Sequence, residues 1–229
     1  MTKNTSTFSA HSIAFIKDRM TVHKYDSHSF LYYEGDSAEY FYYLISGKIR
    51  LIKQNDEGKQ MAIDWYMPGD LFGPMDIYDQ VPHPYTAEVV LPSEIGVISR
   101  KDLENGITID KELGKDIMKW MSIVHRITHT KLRDLMLFGK TGALGSVLIR
   151  LVNTHGVQKE DGILISIKLT HNELGELIGA TRESVNRLLS ELRNQELVDI
   201  VDGYILVKDL QALKDLCHCE ECDNNICRL

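Results

Sequence analysis

The N-terminal half of the chain is built from short apolar runs that turn residues interrupt. Between about residues 20 and 105 these runs recur at close spacing; one of them, at residues 30–33, is followed by a Glu-Gly-Asp turn cluster. Ile49 and Leu51 alternate with lysine and arginine, which is the two-residue period of a half-buried strand. Many short strands at regular spacing predict an antiparallel β-barrel or jelly roll.

The pattern changes to helical spacing after about residue 110. Apolar residues then recur every three or four positions as far as residue 137, with no proline and only one glycine, Gly114. These positions are Leu113, Ile117, Trp120, Met121, Val124, Ile127, Leu132 and Leu135. A helix of this length with an apolar stripe needs a partner. The sequence favours the same helix of a second chain, and packing against the helix's own barrel is the alternative.

Glycines from Gly139 to Gly142 predict a break in the helix, and residues 143–153 and 163–169 then predict a further helix and a strand. A helix-turn-helix pattern follows. Thr170 and Glu173 form a capping box that opens a predicted helix at 172–178. Gly179 supplies the turn, and Thr181 caps a second predicted helix at 182–193.

The residues after the second helix predict a wing. Segments 198–201 and 204–207 flank Asp202-Gly203, which is a signal for a type I′ hairpin. The predicted fold class is therefore α+β, with an antiparallel β jelly-roll barrel followed by a long helix and a winged helix-turn-helix. The predicted segments are a barrel with a lead-in at 1–109, a dimerisation helix at 110–138, a DNA-binding domain at 139–208 and a tail at 209–229.

The polar face of the second helix carries side chains suited to contacting bases. Arginine donates two hydrogen bonds to guanine, and glutamate accepts from the cytosine amine. The residues are Arg182, Glu183, Asn186 and Arg187. Most charged residues on an exposed helix face are only solvated. The complete order of cap, helix, glycine, cap, helix and hairpin nevertheless favours DNA binding here.

Charge and composition narrow the classes of function. The net charge of −7 argues against a general nucleic-acid coat, but it allows local and specific DNA binding. No apolar run approaches the roughly 20 residues that span a bilayer, and the N-terminus has no signal-peptide pattern. We therefore expect a cytoplasmic protein without a membrane partner. No nucleophile–base set, P-loop or dinucleotide fingerprint is present, so we do not expect an enzyme.

All four cysteines lie near the C-terminus, at Cys217, Cys219, Cys222 and Cys227. Cysteines clustered at one end of a chain indicate metal or redox chemistry rather than disulfides that connect distant segments. Iron–sulfur clusters and structural zinc sites both use short cysteine spacings. The C-x-C-x₂-C-x₄-C spacing therefore leaves iron and zinc open.

Nearly the whole chain resembles the CRP/FNR superfamily, the cyclic-AMP receptor and its oxygen-sensing relatives. The resemblance rests on the turn residues Glu34-Gly35-Asp36, Gly47, Gly58 and the PGDLFG motif at 68–73, on the long helix, and on the RESVNR motif at 182–187. It implies that Glu183 and Arg187 contact bases and that Arg182 contacts a base or a phosphate. It further implies a homodimeric activator that binds a palindromic site in double-stranded DNA and contacts RNA polymerase.

The chain departs from the cyclic-AMP receptors where those proteins hold their nucleotide. They place a glutamate after the barrel glycine and an arginine–serine pair about ten residues later. Here the corresponding residues are Pro74 and Pro84-Tyr85, which supply neither that carboxylate nor positive charge. We therefore expect no cyclic nucleotide as effector.

The tail resembles that of the FNR-type oxygen regulators of Gram-positive bacteria, which carry a C-terminal C-x₂-C-x₄-C segment. The resemblance implies a [4Fe–4S] cluster held by Cys219, Cys222 and Cys227, with Asp134 as the fourth ligand. Cys217 is the rival fourth ligand. The expected function is an oxygen-responsive regulator of anaerobic genes, and the alternative is a regulator of the same fold with a zinc-stabilised tail.

Overall fold

The structure, a computed structural model, describes residues 3–58, 60–74, 76–77 and 81–229. The described part of the chain contains six helices and ten strands. It divides into two compact units, one from Lys3 to His125 and the other from Arg126 to Leu229. The boundary falls within one long helix, so the segment predicted at 110–138 contributes to both units.

The first unit is an antiparallel β domain flanked by helices. Its six strands form one sheet in the order β1-β6-β3-β4, with β2 also paired to β6 and β5 to β3. The elements are α1 (Ala10–Arg19), β1 (Thr21–Tyr25), β2 (Phe30–Tyr32), β3 (Tyr40–Gln54), β4 (Gln60–Tyr66), β5 (Leu71–Phe72), β6 (Thr86–Ser99), α2 (Arg100–Ile109) and the start of α3 (Lys111–His155). The predicted α+β class and β-rich N-terminal domain are confirmed.

Strand β3 shows how the alternation of side chains builds two cores. Tyr42 and Leu44 point to the inner face of the sheet, where they pack in a cluster of aromatic and aliphatic side chains. Phe41 and Tyr43 point to the opposite face, where they pack against side chains from the helices, such as Trp120. The sheet therefore has one core inside the barrel and a second core beneath its helices.

The second core contains part of the apolar stripe of α3. Leu113, Ile117 and Trp120 are buried there, in the same unit as the strands. The favoured interpretation of the stripe as a dimer contact was therefore wrong for these three positions. Helical periodicity shows that a face is apolar, but it does not show what covers that face. Other large apolar side chains of α3 are exposed, namely Met118 in the first unit and Leu132, Met136 and Leu137 in the second.

The second unit is a winged helix-turn-helix with an additional hairpin. Its small sheet has the strand order β7-β8-β10-β9. After α3 the elements are β7 (Gly156–Lys159), β8 (Gly162–Ile165), α4 (His171–Ile178), α5 (Arg182–Asn194), β9 (Val198–Val201), β10 (Tyr204–Val207) and α6 (Leu210–Leu216). The strand predicted at 163–169 ends at Ile165, and its hairpin partner β7 was not predicted.

The long helix is broken at Gly139. This residue has φ 58° and ψ −162°, a combination outside the helical region and accessible to glycine rather than to residues with a Cβ atom. A Cβ added there would meet nothing within 4 Å, so only the backbone requires glycine. Gly139 thus separates the end of the first helical segment from the segment that enters the winged helix.

The same helix passes a length-and-composition test for a membrane span. Among the described residues it is the one helix long and apolar enough, and 61% of the apolar window is buried inside the structure. The expectation that no apolar run approaches this length was too strong. Leu144, Leu148 and Leu151 from the helix lie in the hydrophobic core of the second unit, which accounts for the apolar composition.

The geometry at Gly139 generates a prediction about stability. We expect Gly139→Ala to lower the free energy of unfolding by about 1–2 kcal/mol, because alanine disfavours a positive φ. The control is Gly114→Ala in the same helix, which should raise it by up to about 1 kcal/mol because that residue is helical. Urea unfolding measures both changes, and a stabilised Gly139→Ala variant would show that the break is not a backbone constraint.

Candidate functional site

The two helices of the predicted DNA-binding motif are held by their caps. The Thr170 hydroxyl accepts a hydrogen bond from the backbone N–H of Glu173, at 3.2 Å, and the Glu173 carboxylate accepts from the backbone N–H of Thr170, at 2.8 Å. Gly179 ends α4 in the left-handed conformation, with φ 61°. Thr181 then caps α5. The capping box and turn predicted from the sequence are therefore present.

Helix α5 separates its buried and exposed faces clearly. The buried face lies in the core of the second unit and carries Val185, Leu188, Leu189 and Leu192. On the opposite side Arg182, Glu183, Asn186 and Arg187 are all exposed. The predicted base-contacting residues thus share one accessible helix face, as insertion into a major groove requires.

Glu183 lies in the first turn of this helix. A hydrogen bond from its own backbone N–H, with a further one from the Thr181 hydroxyl, lowers the pKa of the Glu183 carboxyl. The side chain is therefore ionised at neutral pH and can accept a hydrogen bond from a base.

The wing directly follows α5, which is the recognition helix of the motif. Asp202 and Gly203 at its tip have φ values of 51° and 82°, as a type I′ turn requires. Lys168 lies beside the wing, with its ammonium 4.9 Å from the centre of the Tyr204 ring. The position of Lys168 could not be predicted from the sequence, because only the folded hairpin brings it to the wing.

Aromatic rings pack inside the barrel domain. Phe72 stacks on Tyr66 and Tyr42, with ring centres 4.6 and 5.3 Å apart, and Tyr32 stacks on His83 at 3.6 Å. Burial lowers the pKa of His83 to about 4, so its ring is neutral at physiological pH. The interior of the barrel domain is therefore rich in uncharged rings.

The backbone of Pro84 lies beside an ion pair of the barrel domain. The carbonyl oxygen of Pro84 accepts a hydrogen bond from Lys53, at 3.1 Å, and the same ammonium pairs with Glu34 at 2.5 Å. The nearby positive charge is therefore neutralised by a carboxylate of the protein.

The C-terminal tail packs into the hydrophobic core of the second unit. Cys217, Cys227 and Leu229 are buried in the hydrophobic core that also contains the recognition helix, and Cys219 and Cys222 are partly buried against it. The pKa of Cys217 is raised to about 11, mainly by burial and to a smaller extent by Cys219 and Asp134. Burial also raises the pKa of Cys227, with smaller contributions from Cys219 and Cys222. The four thiols and Asp134 therefore occupy one neighbourhood.

Asp134 is the buried carboxylate of this neighbourhood. Its Oδ1 atom accepts two hydrogen bonds from Arg133, at 2.7 and 3.0 Å. Its Oδ2 atom accepts from Arg150 at 3.0 Å and also from the Ser146 hydroxyl. Asp134 is therefore a buried carboxylate that pairs with two arginines. Arg150 and Ser146 come from beyond the break at Gly139.

Three side chains connect the tail to the helix on either side of the break. Arg133 pairs with Glu220 at 2.7 Å, Arg150 donates to the carbonyl oxygen of Ile226 at 3.3 Å, and Asn153 donates to the carbonyl oxygen of Cys227 at 2.9 Å. These contacts with the tail were not predicted from the sequence. Contacts across 74 or 76 positions carry no local signal.

The four cysteines and Asp134 fit an iron–sulfur cluster in their chemistry. Cysteine thiolates are the usual ligands of such clusters, and carboxylates bind iron in other kinds of protein site. Over the described parts of the chain, no group of three or more histidine, cysteine or acidic side chains is arranged to hold a metal ion. Ligation would therefore require the side chains of these donors to rearrange.

Comparison with known proteins places this fold. A cyclic nucleotide-binding domain model matches residues 22–110, and a Crp-like helix-turn-helix domain model matches residues 143–216. The anaerobic regulatory protein of Bacillus subtilis is 37% identical over 211 residues, which cover 91% of this chain and 89% of the relative. The chain belongs to the CRP/FNR family. All four cysteines of this CRP/FNR protein lie beyond both matched regions.

More distant relatives agree with this assignment. The cAMP-activated global transcriptional regulator CRP of Salmonella typhimurium is 27% identical over 188 residues, covering 81% of this chain and 89% of the relative. The structure of FixK2 from Bradyrhizobium japonicum matches with a TM-score of 0.73 at 22% identity, over 86% of this chain and 96% of that one. A CooA mutant from Carboxydothermus hydrogenoformans matches with a TM-score of 0.76 at 18% identity, over 89% and 90%. These structures support the fold alone.

The CRP/FNR protein is therefore a DNA-binding transcription regulator and not an enzyme, since its relatives are transcription regulators. Regulators of this family are typically dimeric. The expectations of a CRP/FNR-type regulator and of a helix-turn-helix that binds DNA are confirmed.

Proposed function

We propose that this CRP/FNR protein is an oxygen-responsive activator of anaerobic genes that senses oxygen through a [4Fe–4S] cluster. Cys219, Cys222 and Cys227 would hold the cluster, with Asp134 as the fourth ligand. The observation that carries the proposal is the gathering of the cysteine tail and a buried carboxylate in one corner beside the break at Gly139. The 37% identity to an anaerobic regulatory protein supports the same conclusion.

The tail can influence DNA binding because it shares a core with the recognition helix. Cys217 and Cys227 pack in the same hydrophobic cluster as Val185 and Leu188 of α5. The cluster, when bound, would supply a group that oxygen destroys, and the chain's own residues would convert that loss into a change of conformation. Changes in the angle between the helical segments on either side of Gly139 would alter how two recognition helices meet successive major grooves.

We further propose a cytoplasmic homodimer on a palindromic DNA site, with RNA polymerase as a partner. Leu132, Met136 and Leu137 in the second unit are exposed apolar side chains, which is the character expected of a helix that packs against a second copy. No cyclic nucleotide is proposed as effector. The support is the ring-filled barrel interior, with Pro74 and Pro84-Tyr85 at the positions that would contact the nucleotide.

The exposed face of α5 generates a prediction about DNA specificity. We expect Arg187→Ala to lower the affinity for the preferred DNA sequence by about 1–3 kcal/mol and to relax the preference at one base pair of each half-site. Arg193→Ala is the control, because Arg193 lies on the same helix but pairs with Asp199 at 3.2 Å. Selection of bound sequences from a random DNA library measures the preference. An unchanged preference in Arg187→Ala would contradict the assigned role.

The tail generates a prediction about ligation. Cys222→Ser should abolish the visible absorbance of anaerobically reconstituted protein and its oxygen-dependent DNA binding, because one thiolate ligand is lost. Cys217→Ser, a matched change in the same segment, should keep both.

Other results would indicate a different ligand or a different metal, or would contradict the proposal. Loss of the cluster in Cys217→Ser would make Cys217 a ligand in place of Asp134. Normal oxygen-dependent DNA binding by a Cys222→Ser protein without a cluster would contradict the proposal. A colourless wild-type protein that contains one zinc ion per chain would support the zinc-stabilised alternative.

A further inference from the structure

Both oxygens of the Asp134 carboxylate already accept two hydrogen bonds each. Arg133 donates both bonds to Oδ1, while Arg150 and Ser146 donate to Oδ2. The side chain of Asp134 is only 3% exposed, so bulk water does not take the place of one of these donors. An iron atom can bind this carboxylate only where one of these donors gives way.

The two arginines differ in what they can do without Asp134. The Arg133 side chain is 20% exposed and already pairs with Glu220, whose side chain is 62% exposed. It can leave Oδ1 and remain paired at the edge of the solvent. The Arg150 side chain is 4% exposed, and its other partners are the Thr130 hydroxyl and the carbonyl oxygen of Ile226, both neutral. Removing Arg150 from Asp134 would leave a buried guanidinium without a counter-ion, which is costly.

The Ser146 hydroxyl reinforces this difference. It donates to Oδ2, the oxygen that Arg150 also contacts, and both residues come from the helical segment after Gly139. Oδ2 is thus held by two buried donors from one rigid element. Oδ1 is held by one side chain that is partly exposed and has an alternative partner.

We propose that Arg133 and iron compete for Oδ1 of Asp134, while Arg150 and Ser146 hold Oδ2 and so position the carboxylate. This inference rests on the proposed iron–sulfur function. Arg133 shields the ligand oxygen and yields it by pairing with Glu220 alone. Glu220 lies between Cys219 and Cys222, so the same movement keeps the helix connected to the part of the tail that carries two cluster ligands. Arg150 and Ser146 are positioning residues, and neither is proposed to touch iron.

The competition predicts effects of opposite sign for the two arginines. In anaerobically reconstituted protein, Arg133→Met should slow the release of iron to a ferrous chelator by at least about threefold, because the competing donor is gone. Arg150→Met should speed the release by at least about threefold, because the carboxylate loses its buried support. Arg193→Met, which breaks an ion pair elsewhere in the same unit, should leave the rate unchanged.

Further measurements distinguish a change at the iron site from a general loss of stability. Urea unfolding after complete removal of iron should show a larger loss of stability in Arg150→Met than in Arg133→Met, since only the former pair is fully buried. Should Arg150→Met fail to fold, Ser146→Ala tests the same oxygen and should also release iron faster than the wild type. Arg150→Lys retains the charge and should recover part of the wild-type rate.

The outcomes separate the inference from the proposed function. Faster release in both arginine variants would overturn the competition, because the arginines would then act only as counter-charges for a negative cluster. Unchanged release in Arg133→Met would overturn it as well. A wild-type protein that takes up no iron would overturn the proposed function itself, and with it any competition for Asp134, before a variant is compared.

Discussion

The buried ion pair between Asp134 and Arg150 is the constraint on which the second unit depends. Removing a carboxylate and a guanidinium from water is expensive, and such a pair persists only where its remaining hydrogen-bonding groups are satisfied. Here Ser146, Arg133, Thr130 and the carbonyl oxygen of Ile226 satisfy them. Because Asp134 precedes Gly139 and Arg150 follows it, the pair also fixes the angle at which the long helix is broken.

This constraint lies between the helix-turn-helix and the cysteine tail. The helix that supplies Arg150 packs in one hydrophobic core with the recognition helix and with Cys217, Cys227 and Leu229 of the tail. Because protein interiors are closely packed, a shift of one element is transmitted to the elements that it contacts. We therefore propose that a chemical change at the cysteines would reach the exposed face of α5 through contacts within this unit.

Local signals in the sequence were sufficient to predict the winged helix. Caps and turns are formed by neighbours in the chain, so Thr170, Gly179 and Thr181 predicted both helices, and Asp202-Gly203 predicted the wing. Partners that are distant in sequence were not predictable. Periodicity could not show that Trp120 packs on its own domain. Cysteine spacing pointed to a metal site, but no pattern indicated that Arg150 would hold Asp134, because that contact exists only after the helix breaks and folds back.

We propose that the cysteine tail holds an iron–sulfur cluster that oxygen destroys. The most direct measurement is the content of iron and acid-labile sulfide per chain, with the visible spectrum, in anaerobically reconstituted protein before and after exposure to air. We expect about four iron and four sulfide per chain, with absorbance that is lost in air. A colourless protein without sulfide, or a cluster that air leaves intact, would contradict the claim and leave only the DNA-binding regulator.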